Sequence, residues 1–164
     1  MESVTEREFR DTLARWASGV TVVTARQDGE PVGMTAASFS ALSLDPPLVL
    51  VCIAHSASSH EGLIAAPAFA IHILGAEQDD MSDLFAQPGP EKFAGFPDER
   101  GPHDVPLLPF GVARLVCAPH EALGGGDHTI LIGRVVSTEL AGTDPLVYCN
   151  RTYGRLTPGV SAAT

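Results

Sequence analysis

Gly33-Met34-Thr35-Ala36-Ala37-Ser38-Phe39-Ser40-Ala41-Leu42-Ser43-Leu44-Asp45-Pro46-Pro47-Leu48-Val49-Leu50-Val51-Cys52-Ile53 is the stretch that decides the fold. It opens on small and hydroxyl residues, turns at Asp45-Pro46-Pro47, and enters an apolar run over 48–53. That run is short, partly β-branched and bounded by prolines, so it reads as a buried strand. Thr35, Ala36, Ala37 and Ser38 carry little bulk. A flat ligand can lie close to such a backbone, with N–H groups and the Thr35 and Ser38 hydroxyls offered to its polar edge. An ordinary interstrand loop has the same composition.

Working outward toward the N-terminus, Thr5-Glu6-Arg7-Glu8 has the form of a capping box. Phe9, Leu13, Trp16 and Ala17 follow at helical spacing, which predicts an amphipathic helix with one buried face, ended by Ser18-Gly19. Val20-Thr21-Val22-Val23-Thr24 is a strand by composition. Asp28-Gly29 turns it into a return strand over 31–34. Toward the C-terminus, His55-Ser56-Ala57-Ser58-Ser59-His60 heads a short helical pattern. Its serines suit either an N-cap or a phosphate cradle at first-turn N–H groups. Strands follow over 69–74, 110–121, 129–136 and in the closing 146–156 segment. His72, alternating with apolar neighbours, reads as a satisfied core histidine. A helix over 77–85 turns Met81, Leu84 and Phe85 inward, and the long Pro-rich loop to Pro106 suggests a lid or interface element.

Six or seven short strands, few helices and many turns predict a mainly β protein, a β-barrel. The 164 residues fit one domain over 1–164, with a core over 9–156 and a frayed tail over 157–164. The net charge of −10 argues against nucleic-acid binding, which needs a basic face. Lys92 is the only lysine, so any phosphate site must use arginines, hydroxyls and backbone N–H groups. No apolar run approaches the roughly 20 residues of a membrane span, and the acidic N-terminal stretch predicts no secretory leader. Cys52, Cys117 and Cys149 are widely spaced, which predicts reduced thiols, a cytoplasmic location and no metal site.

Nucleophile elbows, a His-Glu-x-x-His motif and a Gly-x-Gly-x-x-Gly turn are all missing from the sequence. The spacing of His120 and His128 does not establish a metal site. Gly124-Gly125-Gly126-Asp127-His128-Thr129 remains. His128 stands at the mouth of a strand, able to meet a planar ligand or donate a proton, with Asp127 placed to fix its tautomer. A plain hairpin turn explains the same residues.

Taken in order, these segments resemble the short-chain flavin reductase family, the reductase components of two-component flavin-dependent monooxygenases. The resemblance runs from Phe9-Arg10 and Ala17-Ser18-Gly19-Val20-Thr21-Val22-Val23-Thr24 through Gly33-Met34-Thr35-Ala36, Ser38-Phe39, Ser43-Leu44-Asp45-Pro46-Pro47 and the serine-rich helix start. It continues with Lys92-Phe93, Gly126-Asp127-His128-Thr129-Ile130, Pro145-Leu146-Val147-Tyr148 and Tyr153-Gly154-Arg155-Leu156. It implies an FMN-binding split β-barrel with a few short flanking helices, a homodimer, and hydride transfer from NADH or NADPH to FMN or FAD for a partner monooxygenase. By that resemblance Thr35, Ala36, Ala37 and Ser38 face the flavin ring, with Cys52 and Ile53 beside it. Ser58 and Ser59 hold the phosphate, and Lys92 and Phe93 touch the flavin's tail. Asp127, His128, Asn150, Arg151 and Tyr153 receive the nicotinamide, with His128 as the catalytic candidate. A non-catalytic flavin- or haem-binding carrier or sensor on the same barrel is the other reading. A pyridoxamine-phosphate-oxidase-like site is disfavoured by the single lysine.

Overall fold

The computed structural model describes residues 3–109, 111–142 and 144–157. It is mainly β. A helix α1 (Glu6–Leu13) leads into strands β1 (Ser18–Gly19), β2 (Thr21–Gln27), β3 (Glu30–Ala36), β4 (Ser40–Leu44) and β5 (Pro47–Ala54). Helix α2 (His60–Ala65), β6 (Phe69–Ile73) and α3 (Asp79–Ala86) come next. The long loop carries a two-residue ladder, β7 (Glu99–Arg100) with β8 (Pro106–Leu107). Then come the long strands β9 (Ala113–Gly125) and β10 (His128–Leu140), and the closing hairpin β11 (Leu146–Cys149) with β12 (Thr152–Arg155). Phe110, where the sequence starts the ninth strand, lies outside the described residues, as do tail residues 158–164.

Seven antiparallel strands form the main sheet in the order β3-β2-β6-β9-β10-β5-β4. Its two edge strands, β3 and β4, are consecutive in the chain and separated only by Ala37, Ser38 and Phe39. Strands lie about 4.8 Å apart, so a flat sheet of seven would hold its edges about 29 Å apart. The four Cα steps from Ala36 to Ser40 reach at most about 14 Å. The sheet therefore curls, bringing the end of β3 close to the start of β4. Among the described residues no ladder joins β3 to β4, so the barrel is split along that seam. Ser38 bridges beside it: its Oγ accepts from Cys52 N–H and donates to Cys52 O, both at 3.0 Å. The strain of curling is taken up in the β9–β10 pair, where the register shifts between Ile132 and Gly133, with His120 of β9 extra, and between Val135 and Ser137, with Val136 of β10 extra. Gly133 is required there, because a Cβ would collide with the Phe69 ring.

The β5 pleat puts Val49, Val51 and Ile53 into the main core with Val23, Phe69, Ile71 and Leu131. A second cluster, Val20, Val22, Leu74, Phe85, Leu108 and Leu146, binds α3 and the closing hairpin to the barrel end. The capping box on α1 forms as expected. Its buried face does not: α1 has no buried residue, and Phe9, Leu13 and Trp16 are 55%, 53% and 77% exposed. The helix also stops at Leu13, and Ser18–Gly19 pairs with β11 instead of capping it. Strand β4, built of serine, alanine and leucine, was not separable from loop in the sequence. Leu84 of α3 is 40% exposed, not inward.

His72 is the satisfied core histidine that the alternation predicted. Thr24 Oγ1 donates to Pro106 O at 2.7 Å and so accepts from His72 Nε2 at 3.1 Å. Burial, with the nearby Arg114 charge second, lowers the His72 pKa to about 3. The unfolded chain takes up this proton near pH 6.5 and the folded chain does not. Stability from this site is complete above pH 6.5 and falls away between pH 6.5 and about 3. Urea midpoints should therefore drop with pH already between about 6.5 and 5, above the range where carboxylates titrate. His72→Gln should flatten that slope; an unchanged slope would assign it to other groups.

Candidate functional site

Two clefts flank the barrel seam. The first, about 320 Å³, is walled by Met34 and Thr35 of β3, by the Ser56–Ser59 serines, and by Phe85, Gln87 and Lys92. Lys92 decides its chemistry. The residue is only 5% exposed, and its Nζ donates to Gly33 O at 2.9 Å and Gln87 O at 2.7 Å. The Phe85 ring centroid lies 5.9 Å away, a cation–π contact. Among the described residues no carboxylate pairs with it, and burial pushes its pKa below the ordinary lysine value. An ammonium carries three N–H groups, so two carbonyls leave one donor and a full charge at the cleft wall. A buried, uncompensated cation beside serine hydroxyls fits a phosphate group.

The second cleft, about 480 Å³, is apolar. It lies between α1, the seam residues Ala37 and Ser38, and Tyr148 and Arg151 of the closing hairpin. Asn150 and Arg151 form that hairpin's turn with φ of 53° and 60°, the left-handed pair a two-residue turn requires. Asn150 N–H reaches Ala14 O at 2.6 Å and Arg151 reaches Asp11 Oδ1 at 2.6 Å, which ties α1 to the hairpin.

Ser82 of α3 couples the two clefts. Its carbonyl accepts from Thr35 Oγ1 at 2.5 Å, and its hydroxyl lies 2.9 Å from the Tyr153 hydroxyl. Tyr153 donates to Asp83 Oδ1 at 2.6 Å and packs on Tyr148, ring centroids 5.4 Å apart. Partial burial and, next, the Asp83 hydrogen bond raise the Tyr153 pKa, so the phenol stays protonated.

His128 opens β10 opposite Ala54, at the end of β5 where the serine loop begins. Its Nδ1 lies 2.6 Å from Asp127 Oδ1. Nδ1–H therefore donates to the carboxylate, and Nε2 points away as the free ring nitrogen. That bond holds the Asp127 carboxyl below the usual range. The pair is solvent-exposed, 42% and 92%, so it orients the ring and adds little stability. His60 bonds Thr129 Oγ1 at 2.9 Å, and the His55 ring packs edge-on against it at 5.1 Å.

The structure thus brings together Thr35, Ser58 and Lys92, with Phe93 behind them, and separately Ala37, Ser38 and Arg151. Several expectations need correction. Ala36 and Ile53 are buried in the core by the strand pleat, so what they offer a ligand is backbone. The Ser38 hydroxyl is engaged by Cys52, whose own side chain sits half-buried on the other face of β5. Ser59 is buried, gives α2 no side-chain cap, and donates to Gly33 O at 2.7 Å, so of the cleft's serines its hydroxyl proton is already committed. Phe93 packs edge-on to Phe85 at 5.0 Å. Phe85, Ser82 and Asp83 were missed; a helix's apolar face gives no sign that its end lines a cleft.

A family model described as the flavin reductase like domain matches residues 13–157. The chain is 42% identical over 149 residues to the FMN reductase (NADH) SmoA of Agrobacterium fabrum, covering 91% of this chain and 85% of that protein. It is 40% identical to the reductase component of the flavin-dependent trigonelline monooxygenase of Acinetobacter baylyi, over 95% of this chain. The chain spans about half the length of some of these relatives, 50% in that case. Among solved structures, the NADH:FAD oxidoreductase of Streptomyces globisporus in complex with NAD and FAD fragments matches with a TM-score of 0.89 at 35% identity, covering 98% of this chain and 100% of that one.

Lys92→Gln removes the buried charge but keeps a donor. The variant's thermal midpoint in chloride buffer should equal or exceed that of the wild type. The rise that inorganic phosphate gives the wild type, about 2–4 °C per kcal/mol of binding, should vanish. Thermal scans in the two buffers check this; an undiminished phosphate effect would place the anion elsewhere.

Proposed function

We propose that this chain, which belongs to the flavin reductase family, is an NAD(P)H-dependent flavin oxidoreductase that supplies reduced flavin to a partner monooxygenase. The observation that carries the proposal is Lys92: a buried cation with no carboxylate partner among the described residues, facing a serine-lined cleft that Ser82 links to an aromatic hairpin. Lys92 and Ser58 would hold the flavin's phosphate, and Met34, Thr35 and Phe85 its tail. Ala37 and the backbone at Cys52 would border its ring. A bound flavin supplies the hydride acceptor. Asp127 fixes His128 with Nε2 outward, so that His128 orients the nicotinamide and holds or passes a proton at that atom. Arg151 would border the nicotinamide from the second cleft, with Asn150 and Tyr153 beside it in the same hairpin. No strong acid or base is demanded of the protein, whose work is alignment and exclusion of water.

A homodimer and a cytoplasmic location are part of the same proposal. Strand β5 is apolar on both faces. Leu48 and Leu50 on its outer face are half-buried, and Leu44 of the neighbouring edge strand is 95% exposed. A one-sided antiparallel strand would alternate apolar with polar, so a second copy is the cover this face calls for. Ser38 joins that face to the apolar surface of α1. The three cysteines are free, as a reducing compartment requires, and among the described residues no helix is long and apolar enough to cross a membrane.

NADH and NADPH oxidation with FMN, FAD or riboflavin in excess should show turnover that saturates with flavin. Flavin retained without turnover would favour the non-catalytic carrier. His128→Ala should lower turnover about tenfold or more, as loss of alignment does, while the flavin Kd changes little; equal losses in both would remove the assigned role. In sedimentation the wild type should run as a dimer, and Trp16→Glu should shift it toward monomer. A monomeric wild type would overturn the dimer.

A further inference from the structure

The Lys92 cleft does not end at Lys92. A shallow channel lined by Pro31, Ser58, Lys92 and Phe93 continues it. Pro31 and Phe93 also wall a third cleft, about 330 Å³, between the β2–β3 hairpin and the 93–108 loop. One ring organises the passage. Phe85 carries Lys92 Nζ at 5.9 Å, the Phe93 centroid at 5.0 Å and the Phe96 centroid at 6.1 Å. The charge and the aromatic wall of the third cleft are therefore near neighbours.

The third cleft has a different chemistry from the first. Phe93, Phe96 and Pro97 supply one apolar wall in a lining that is otherwise mostly polar, with Glu30 and Glu99 among its residues. Its two cations are already engaged. Arg26 pairs with Asp98 at 2.8 Å and Asp104 at 3.3 Å, and Arg100 pairs with Asp98 and with Asp104 at 2.9 Å. The ion pairs fix the loop over the hairpin and leave no free positive charge for a phosphate. A neutral purine stacked between ring and proline faces suits such walls, and carboxylates suit the hydroxyls of a ribose.

From this order (cation first, then one aromatic wall within a polar, carboxylate-bearing lining) we infer that the cleft takes an adenosine joined through its phosphate at Lys92, which makes FAD the preferred flavin over FMN. The inference rests on the flavin reductase reading and adds the flavin's identity to it. FMN ends at the phosphate and leaves the third cleft unused. An adenosine also occurs in NADH, but the third cleft continues the flavin's phosphate site, not the His128 end.

Equilibrium titrations with FAD and with FMN test it. FAD should bind the wild type about tenfold or more tightly, the worth of one stacked base, and adenosine should displace FAD and not FMN. Phe96→Ala should weaken FAD binding and leave FMN binding unchanged. Equal affinities for the two flavins, or adenosine without effect on FAD, would overturn the preference, with or without a folded variant. If Phe96→Ala instead raises KM for NADH at saturating FMN and spares FAD binding, the adenosine belongs to the nicotinamide and the assignment to FAD falls. If neither flavin binds, the reductase reading fails as well.

Discussion

Three residues between the first and last strands of a seven-stranded sheet set the shape of this molecule. Ala37, Ser38 and Phe39 are too few to let the edges stand apart, so the sheet must roll. Rolling goes with the bulges between β9 and β10 and the glycine at 133 against Phe69, and brings the end of β3 near the start of β4 without a ladder between them among the described residues. An unsatisfied pair of backbone groups beside the seam would be costly. The Ser38 side chain extends the β4–β5 pairing by serving the Cys52 N–H and C=O.

The candidate site follows from that seam. The small residues Ala37 and Ser38 stand exposed on it, on the wall of the second cleft. α3, carried on the barrel by Phe85, closes one cleft with its own end and reaches the closing hairpin through Ser82 and Tyr153. The polar groups around the clefts mostly satisfy each other. Lys92 differs, since its carbonyl partners supply hydrogen bonds and, among the described residues, no countercharge.

Much of this was legible in the residues. The strand at 48–53, the Asp28-Gly29 hairpin, the capping box and the buried His72 all carry local signatures, and all stand within an element of the run expected. The failures have a common cause. Phe9, Leu13 and Trp16 repeat at helical spacing, but periodicity cannot say whether the apolar face meets this chain or another. Ser59 looks like a cap until its hydroxyl is seen on Gly33 O, 26 positions away. Ala36 and Ile53 belong to stretches expected to line a ligand, yet the pleat turns their side chains inward; a motif identifies a stretch of backbone and not the direction of each side chain. Ser82 and Asp83 gave no warning because their partners lie some 47 and 70 positions distant.

The single lysine has a further consequence. Reagents directed at primary amines, such as acylating labels, cross-linkers and amine-coupling surfaces, ordinarily find lysines scattered over a protein's exterior. Here the only lysine side chain lies 5% exposed beneath two carbonyl oxygens. The described surface therefore offers such chemistry no lysine, and acylation of Lys92 reports on access to the cleft. The molecule carries a built-in probe of its own interior.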